Sequence, residues 1–342
     1  MKDIDKILGS LTSEEKKYLL NKLKADVLGS ISKEITQCPC CNATNYMKHG
    51  MYKGVQKYKC RTTSKIFSYK SKTIISGITI SNLTKFESLM DYMVEKNFPT
   101  IRDIARHLKI SVITAHDWRT KVITALYKHI DFTNQIVEFD ETNFRLSRKG
   151  RRGMEYSRER GGKLVGDSNY NVKVFMTYSR GTKKLELYAS HMGRSSARDV
   201  ANYMEVNKGV VMLTDRHSAY SKYCKEKGVV QKSFISKDHV SKLDRTVHNQ
   251  TVNHYTKRLK NFIDKELMGV STKYLQGYLN WIMFIDNAKK ESASIKEVVM
   301  ENKVALDIFK QKEKEFQYFL KINGRNNYGT YNDRYYGKTR KN

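Results

Sequence analysis

Near residue 134 the apolar period of the chain changes, and the order of elements that follows restricts it to a mixed α/β sheet. QIVEFDET reads as a strand, NVKVFMTYSRGTKKLELYAS as a hairpin turning at Arg180 and Gly181, and SSARDVANYMEVN as a helix. GVVMLTDRHSAY reads as a further strand and VVQKSFIS as a short fifth one. Two helices complete the pattern, roughly NQTVNHYTKRLKNFIDKEL and STKYLQGYLNWIMFIDNAKK. In the second, Tyr274, Leu275, Leu279, Ile282 and Phe284 form a wide apolar face.

A hairpin first, then strands alternating with helices, predicts an RNase H-like α/β core over residues 134–305. Three smaller regions precede it. Residues 1–36 hold LTSEEKKYLLNKL, an amphipathic helix whose Thr12 and Glu15 stand at capping-box spacing. Residues 37–70 are rich in Cys, Gly, Lys and Tyr and read as two knuckles on small hairpins, a zinc-ribbon-like module. Residues 81–130 have helical periodicity broken at Pro99 and at Lys109-Ile110-Ser111, the outline of a helix-turn-helix. Ile104, Ala105 and Leu108 are expected to pack its first helix, and Ile113, Trp118 and Val122 its second. A helical hairpin is also a common core element. In a DNA-reading version, Ser111, Thr114, His116 and Arg119 would face a groove. Residues 145–166 form a basic, glycine-punctuated insertion with Lys149, Arg151 and Arg152, and residues 310–342 a basic tail.

Charge points to the partner. Lys and Arg number 64 against 35 Asp and Glu, a formal net charge of +29 spread along the whole chain. Such a surface suits a polyanion, and affinity for nucleic acid should fall steeply with salt. No run of about 18 apolar residues is present to span a membrane, and the N-terminus lacks an apolar signal core. The expected setting is the cytoplasm.

Two carboxylates stand where strands end, Asp140 and Asp215. If the strands are neighbours, the pair could hold divalent cations against a phosphate; taken singly, either Asp could merely cap the next helix. Asn253 offers a neutral oxygen on the helix after the last strand, and Lys260, seven residues on, projects from almost the same face. Lys260 and Lys257 could each contact phosphate or simply be solvated. Cys38 and Cys41 make one CxxC pair and Cys60 opens a second, but Thr63 stands where a fourth thiolate would be. Cys40 or His49 could supply the missing ligand, and a metal-free, decayed ribbon is the alternative. Cys224 has no base near it in sequence and reads as a small buried hydrophobe.

VEFDETNF, the RKG and RGGK loop, LTDRHSAY and VHNQTVNHYTKRLKNFIDKELMGVSTKYLQGYLNW together resemble bacterial insertion-sequence transposases of the DDE superfamily. They are most similar to the group in which an N-terminal zinc ribbon precedes an Asp, Asp, Asn or Glu, Lys set. The resemblance runs from about Cys38 to Trp281. It implies Asp140, Asp215 and Asn253 as ligands of Mg²⁺ or Mn²⁺, Lys260 as the phosphate-contacting lysine, and a family histidine at His248. It further implies recognition of terminal inverted repeats, release of a 3′-hydroxyl, its transfer into target DNA, and at least a dimer on DNA. Thr63 departs from the pattern and puts Zn²⁺ at Cys38, Cys41 and Cys60 in question. Two rivals share many of these features: a non-catalytic DNA-binding regulator, and an RNase H-like nuclease without strand transfer.

Overall fold

The computed structural model describes residues 11–15, 35–147, 149, 171–204, 209–238, 240–291 and 294–301. Arg151, Arg152, most of the basic insertion, the tail and the body of the N-terminal helix lie outside the described residues. At the start of that helix, the Thr12 amide donates to Glu15 Oε2 (2.8 Å) and the Glu15 amide to Thr12 Oγ1 (3.3 Å), the reciprocal pair its spacing predicts.

Two compact units divide at Thr84 and Lys85. In the first, β1 (Tyr46–Tyr52), β2 (Val55–Cys60) and β3 (Ile66–Phe67) form an antiparallel sheet in that order. Its small core is Cys38, Cys60 and Phe67, with Tyr46 and Tyr58 packed against it. Rings carry much of this core: Tyr46 meets Tyr58 and Phe67 edge-on at 5.5 and 5.6 Å.

The second unit opens with α1 (Leu83–Glu95, which begins at the boundary), α2 (Ile101–Leu108) and α3 (Val112–Ala125). Thr100 caps α2, accepting from the Asp103 amide. Lys109 then turns into the left-handed region (φ 51°), and Ser111 caps α3, accepting from the Thr114 amide. Ile104, Ala105, Leu108, Trp118 and Val122 are buried as the periodicity predicts.

Ile113 and Arg119 exchange the places expected of them. Ile113 is 84 % exposed, whereas Arg119 is only 7 % exposed and does not face outward. Arg119 donates to the Pro99 carbonyl (3.2 Å) and its guanidinium lies 4.8 Å from the Phe98 ring centre. α3 has neighbours on two sides, so a single apolar stripe does not identify its buried face. Behind it runs α7 (Leu275–Glu291), entered by a 3-10 turn at Thr272–Tyr274. Gly277 makes this approach possible: a Cβ there would fall 2.9 Å from Ile123 Cγ1. Asn280 also donates to the Ile123 carbonyl (3.0 Å), tying α7 to α3.

The large sheet holds β4 (Ile136–Arg145), β5 (Asn171–Ser179), β6 (Leu185–Met192), β7 (Val211–Asp215) and β8 (Val230–Phe234). Its order is β6-β5-β4-β7-β8, with β4, β5 and β6 antiparallel and β7 and β8 parallel to β4. This is the RNase H-like arrangement expected from the element order. One face packs α4 (Ala197–Tyr203) and α5 (Ser218–Lys227) over Val137, Phe139, Phe175 and Met212. The other meets α6 (Gln250–Lys260) and α7. Beyond Lys260 the helix widens into a π-helical turn, Asn261–Glu266, rather than continuing as the single α-helix expected to about Leu267. α8 (Ile295–Glu301) follows α7.

A candidate active site on the central strands

Side chains alternate across a strand, so the residues of β4 that face α6 are Glu138, Asp140 and Thr142. On β7, Met212 enters the core of the opposite face, which turns Leu213 and Asp215 toward the α6 side. The parallel ladder pairs Ile136 with Val211, Val137 with Met212 and Glu138 with Leu213. Continued two residues, it sets Asp140 beside Asp215. Two carboxylates distant in sequence therefore meet on one face of adjacent strands.

Their electrostatics agree. Burial pushes the Asp140 carboxyl up to about 7, and the neighbouring charges of Asp215 and Glu141 push the same way against the Glu141 amide and Lys173. A half-buried pair of like charges is a poor arrangement for a metal-free protein and a suitable one for a divalent cation. From the opposite face of the sheet Tyr220 feels the same charges, its phenol pushed well above its ordinary value by burial and then by Glu141, Asp140 and Asp215.

Asn253 joins this cluster through a residue the sequence did not single out. Asn249, 4 % exposed at the N-terminus of α6, donates from Nδ2 to Asp140 Oδ2 (2.7 Å). Its Oδ1 accepts from Asn253 Nδ2 (2.9 Å). The exposed Asn253 thus stands one side chain away from Asp140. The other Asp140 oxygen accepts from the Glu141 amide (2.8 Å), and Asp215 Oδ1 from the His217 amide (3.1 Å). Lys260 and Lys257 are exposed at the far end of α6.

Glu138 fixes α6 to β4. Its carboxylate is 1 % exposed and accepts from the amides of Thr251 (2.9 Å) and Val252 (3.3 Å) in the first turn of α6. Arg180, in the β5–β6 turn, donates to the same carboxylate (2.9 Å) and to the His248 carbonyl (3.0 Å). His248 itself lies 3.7 Å from Glu138, so the family histidine belongs to this anchor rather than to the carboxylate pair. On the opposite face of β4, Glu141 accepts from buried Lys173 (2.6 Å) and from Ser195. Glu138 and Lys173 carried a legible signal, a charge within the apolar runs IVEF and VKVFM; Asn249 and Arg180 carried none.

The remaining candidates are dispersed. Ser111 and Thr114 share the cap of α3, their hydroxyls 2.8 Å apart. His116 packs edge-on against Tyr274, its ring centre 5.4 Å away, and burial followed by Arg119 and Lys273 lowers its pKa. Lys149 Nζ donates to the carbonyls of Leu267, Met268 and Gly269, at 3.0, 3.0 and 2.6 Å, on the loop after the π turn. Cys224 is buried, its thiol pushed up to about 11, as expected of a core residue.

In the first unit, Cys38, Cys41 and Cys60 place their sulfurs within 4.8 Å of one another, a spacing able to hold a metal ion. Cys40 and His49 are not among the three. Thr63 hydrogen-bonds Cys60 through both hydroxyl and amide, which lowers that thiol to about 6 and favours the thiolate a metal requires.

Residues 133–287 match the family model described as the ISXO2-like transposase domain. An uncharacterised protein in transposable element ISH50 of the archaeon Halobacterium salinarum is 22 % identical over 209 residues, covering 60 % of this chain and 70 % of its own. The likeness is thus not confined to the bacterial elements suggested by sequence. Among solved structures, a chain of the simian T-cell lymphotropic virus intasome in complex with PP2A regulatory subunit B56 gamma is 10 % identical. It covers 56 % of this chain and 67 % of its own, with a TM-score of 0.28. The Drosophila P element transposase strand transfer complex is 11 % identical, covers 68 % and 64 %, and has a TM-score of 0.26. Among the described residues no helix is long and apolar enough to cross a membrane. The segment from 133 to 287, which holds the five-stranded sheet with Asp140 and Asp215 and the helix with Asn253, carries the match to a DDE transposase domain, an enzyme domain that transfers phosphoryl groups on DNA.

Proposed function

We propose that the chain is the transposase of an insertion sequence, cutting at terminal inverted repeats and joining the freed 3′-hydroxyl to target DNA. The observation that carries this reading is the side-by-side placement of Asp140 and Asp215 on β4 and β7, under the helix that bears Asn253. Asp140, Asp215 and Asn253 would hold Mg²⁺ or Mn²⁺, and the donor set suits it: two carboxylates and an amide oxygen, all hard ligands. A cation held by these residues would supply Lewis-acid polarisation of a phosphate and activation of the attacking oxygen.

The protein's own part is positional. Asn249 sets the spacing between Asp140 and Asn253, Glu138 sets the pitch of α6, and Lys260 would meet a phosphate flanking the cut. Phosphoryl transfer of this kind requires no covalent protein intermediate, in keeping with the inert setting of Cys224. Zn²⁺ would sit on Cys38, Cys41 and Cys60, with one coordination position left over by Thr63. Two element ends must be held together, so a dimer or larger assembly on DNA is part of the proposal, as is an intracellular site of action.

The test uses duplexes carrying the element ends, supercoiled target and Mg²⁺ or Mn²⁺. Wild type should yield nicked ends and joined products, while Asp140→Asn and Asp215→Asn, still binding DNA, yield neither. DNA binding without any product from wild type would leave a DNA-binding regulator as the reading, and unchanged products from both variants would exclude the two carboxylates from the reaction. Nicked ends without joined molecules would leave a nuclease.

A further inference from the structure

From Ile35 to Thr84 the chain carries eight Lys or Arg and not one Asp or Glu. Over 50 residues of a folded module this is a strong bias, and the β1–β2–β3 sheet gives it a shape. One face of that sheet covers the Tyr46, Tyr58 and Phe67 core. The ladders pair Met47 with Lys59 and Lys59 with Ile66, which puts these three in one row across the opposite face. A register shift between Lys48 and Met51 turns Tyr52, paired with Val55, onto that same face. The ammonium groups of Lys53 and Lys57 lie 5.6 and 5.8 Å from the Tyr52 ring centre.

Met47 (45 % exposed), Tyr52 (61 %) and Ile66 (56 %) are thus large apolar side chains in water, interleaved with Lys53, Lys57 and Lys59. Interior packing does not require them there, and the lysines do not neutralise any acid of the module. A face of this composition fits a partner that offers phosphates at close spacing together with sugar and base surface.

We propose that this face of the three-stranded sheet is a duplex DNA-binding surface, with Lys53, Lys57 and Lys59 on phosphates and Tyr52, Met47 and Ile66 against the groove wall. It rests on the transposase reading for the identity of the polyanion. The helix pair favoured from sequence supports the same shift of emphasis, because Arg119 is buried and Ser111 and Thr114 spend their hydroxyls on a helix cap. Strand pairing and the aromatic core beneath it define the face.

The experiment measures binding of the full chain to two duplexes of equal length, one with the element end and one of scrambled sequence, by fluorescence anisotropy across a salt series. Lys53→Ala/Lys57→Ala/Lys59→Ala should bind both at least tenfold more weakly at physiological salt. The slope of log affinity against log salt should fall by about 2 to 3, at about 0.9 for each phosphate no longer neutralised. Tyr52→Ala should weaken binding several-fold with no change of slope. An arginine triple variant should restore affinity and slope, which a folding defect would not allow. Wild-type affinity and slope in the alanine variant would overturn the proposal. So would a change of oligomeric state without DNA at unchanged DNA affinity, which would make the face a self-interface. The carboxylates are read independently: Asp140→Asn should bind as wild type, so the cleavage reading and the binding reading fail or succeed separately.

Discussion

Asn249 Nδ2 lies 2.7 Å from Asp140 Oδ2, and the same amide accepts from Asn253 at 2.9 Å, so one buried side chain spans strand β4 and helix α6 at the centre of the site. Asn249→Ala removes the bridge and leaves Asp140 and Asn253 without a common reference. A hydrogen bond to a charged group contributes about 1.5–3 kcal/mol. The expected outcome is a fall of about tenfold or more in end cleavage, with a higher Mg²⁺ concentration for half-maximal rate and unchanged DNA affinity. Titrating Mn²⁺ by paramagnetic resonance gives the metal affinity without turnover, and an alanine variant with wild-type metal affinity would exclude the bridging role.

The carboxyl of Asp140 makes metal-free stability depend on pH in an unusual direction. Its folded pKa is raised from 3.8 to about 7, chiefly by burial, so between those values the folded state holds a proton that the unfolded state releases. This contribution is complete below about 4 and is lost as pH rises through about 7. Melting temperature in EDTA should therefore gain from this group as pH drops from about 8 toward 5, whereas most carboxylates work the other way. Asp140→Asn should flatten that part of the profile. A difference curve between wild type and variant that is level across this window would contradict the raised value.

Much of the architecture was legible because buried strands have to be apolar on both sides. VKVFM and VVML announce β5 and β7, and a sheet with a hairpin edge and parallel continuation then has few ways to order itself. The partnership of Asp140 with Asp215 stayed conditional in the sequence, because no local pattern shows which strands are neighbours; the β4–β7 ladder supplies that. Contacts bridging distant segments were not legible: Glu138 to Arg180, Glu141 to Lys173 and Asn249 to Asp140 are separated by 42, 32 and 109 positions, and no local period encodes them. Arg119 misled for a related reason. Its guanidinium lies over Phe98 and reaches the Pro99 carbonyl and the Tyr278 hydroxyl of α7, partners distant in sequence that a charged letter in an amphipathic pattern does not reveal.

Glu138 is the residue whose loss should separate folding from chemistry. Buried with Arg180, two helix amides and the Thr251 hydroxyl, it has every partner a carboxylate needs, and α6 depends on it for its docking. Glu138→Ala would leave two helix amides without their acceptor, while Arg180 keeps the His248 carbonyl, a change of about 2–4 kcal/mol. Glu138→Gln keeps the shape and part of the bonding, and its cost should be nearer 1–2 kcal/mol. Urea unfolding followed by far-ultraviolet dichroism measures both. Equal, small losses in the two variants would show that α6 is held by its apolar face alone.

Thr63 offers a prediction in the direction of gain. Three sulfurs already lie within 4.8 Å, and Thr63 reaches Cys60 from the position of the missing thiolate. Structural zinc prefers four protein ligands in a tetrahedron, so Thr63→Cys should complete the shell and slow the transfer of Zn²⁺ to a chromogenic chelator by at least tenfold. Cys41→Ser should act oppositely and release the metal at once. Because Cys38 and Cys60 are also the floor of the aromatic core, removing zinc from wild type should loosen Tyr46, Tyr58 and Phe67 together. Tyrosine fluorescence and near-ultraviolet dichroism during chelation would report that loosening. A Thr63→Cys protein that surrenders zinc as fast as wild type would mean that position 63 cannot reach the ion.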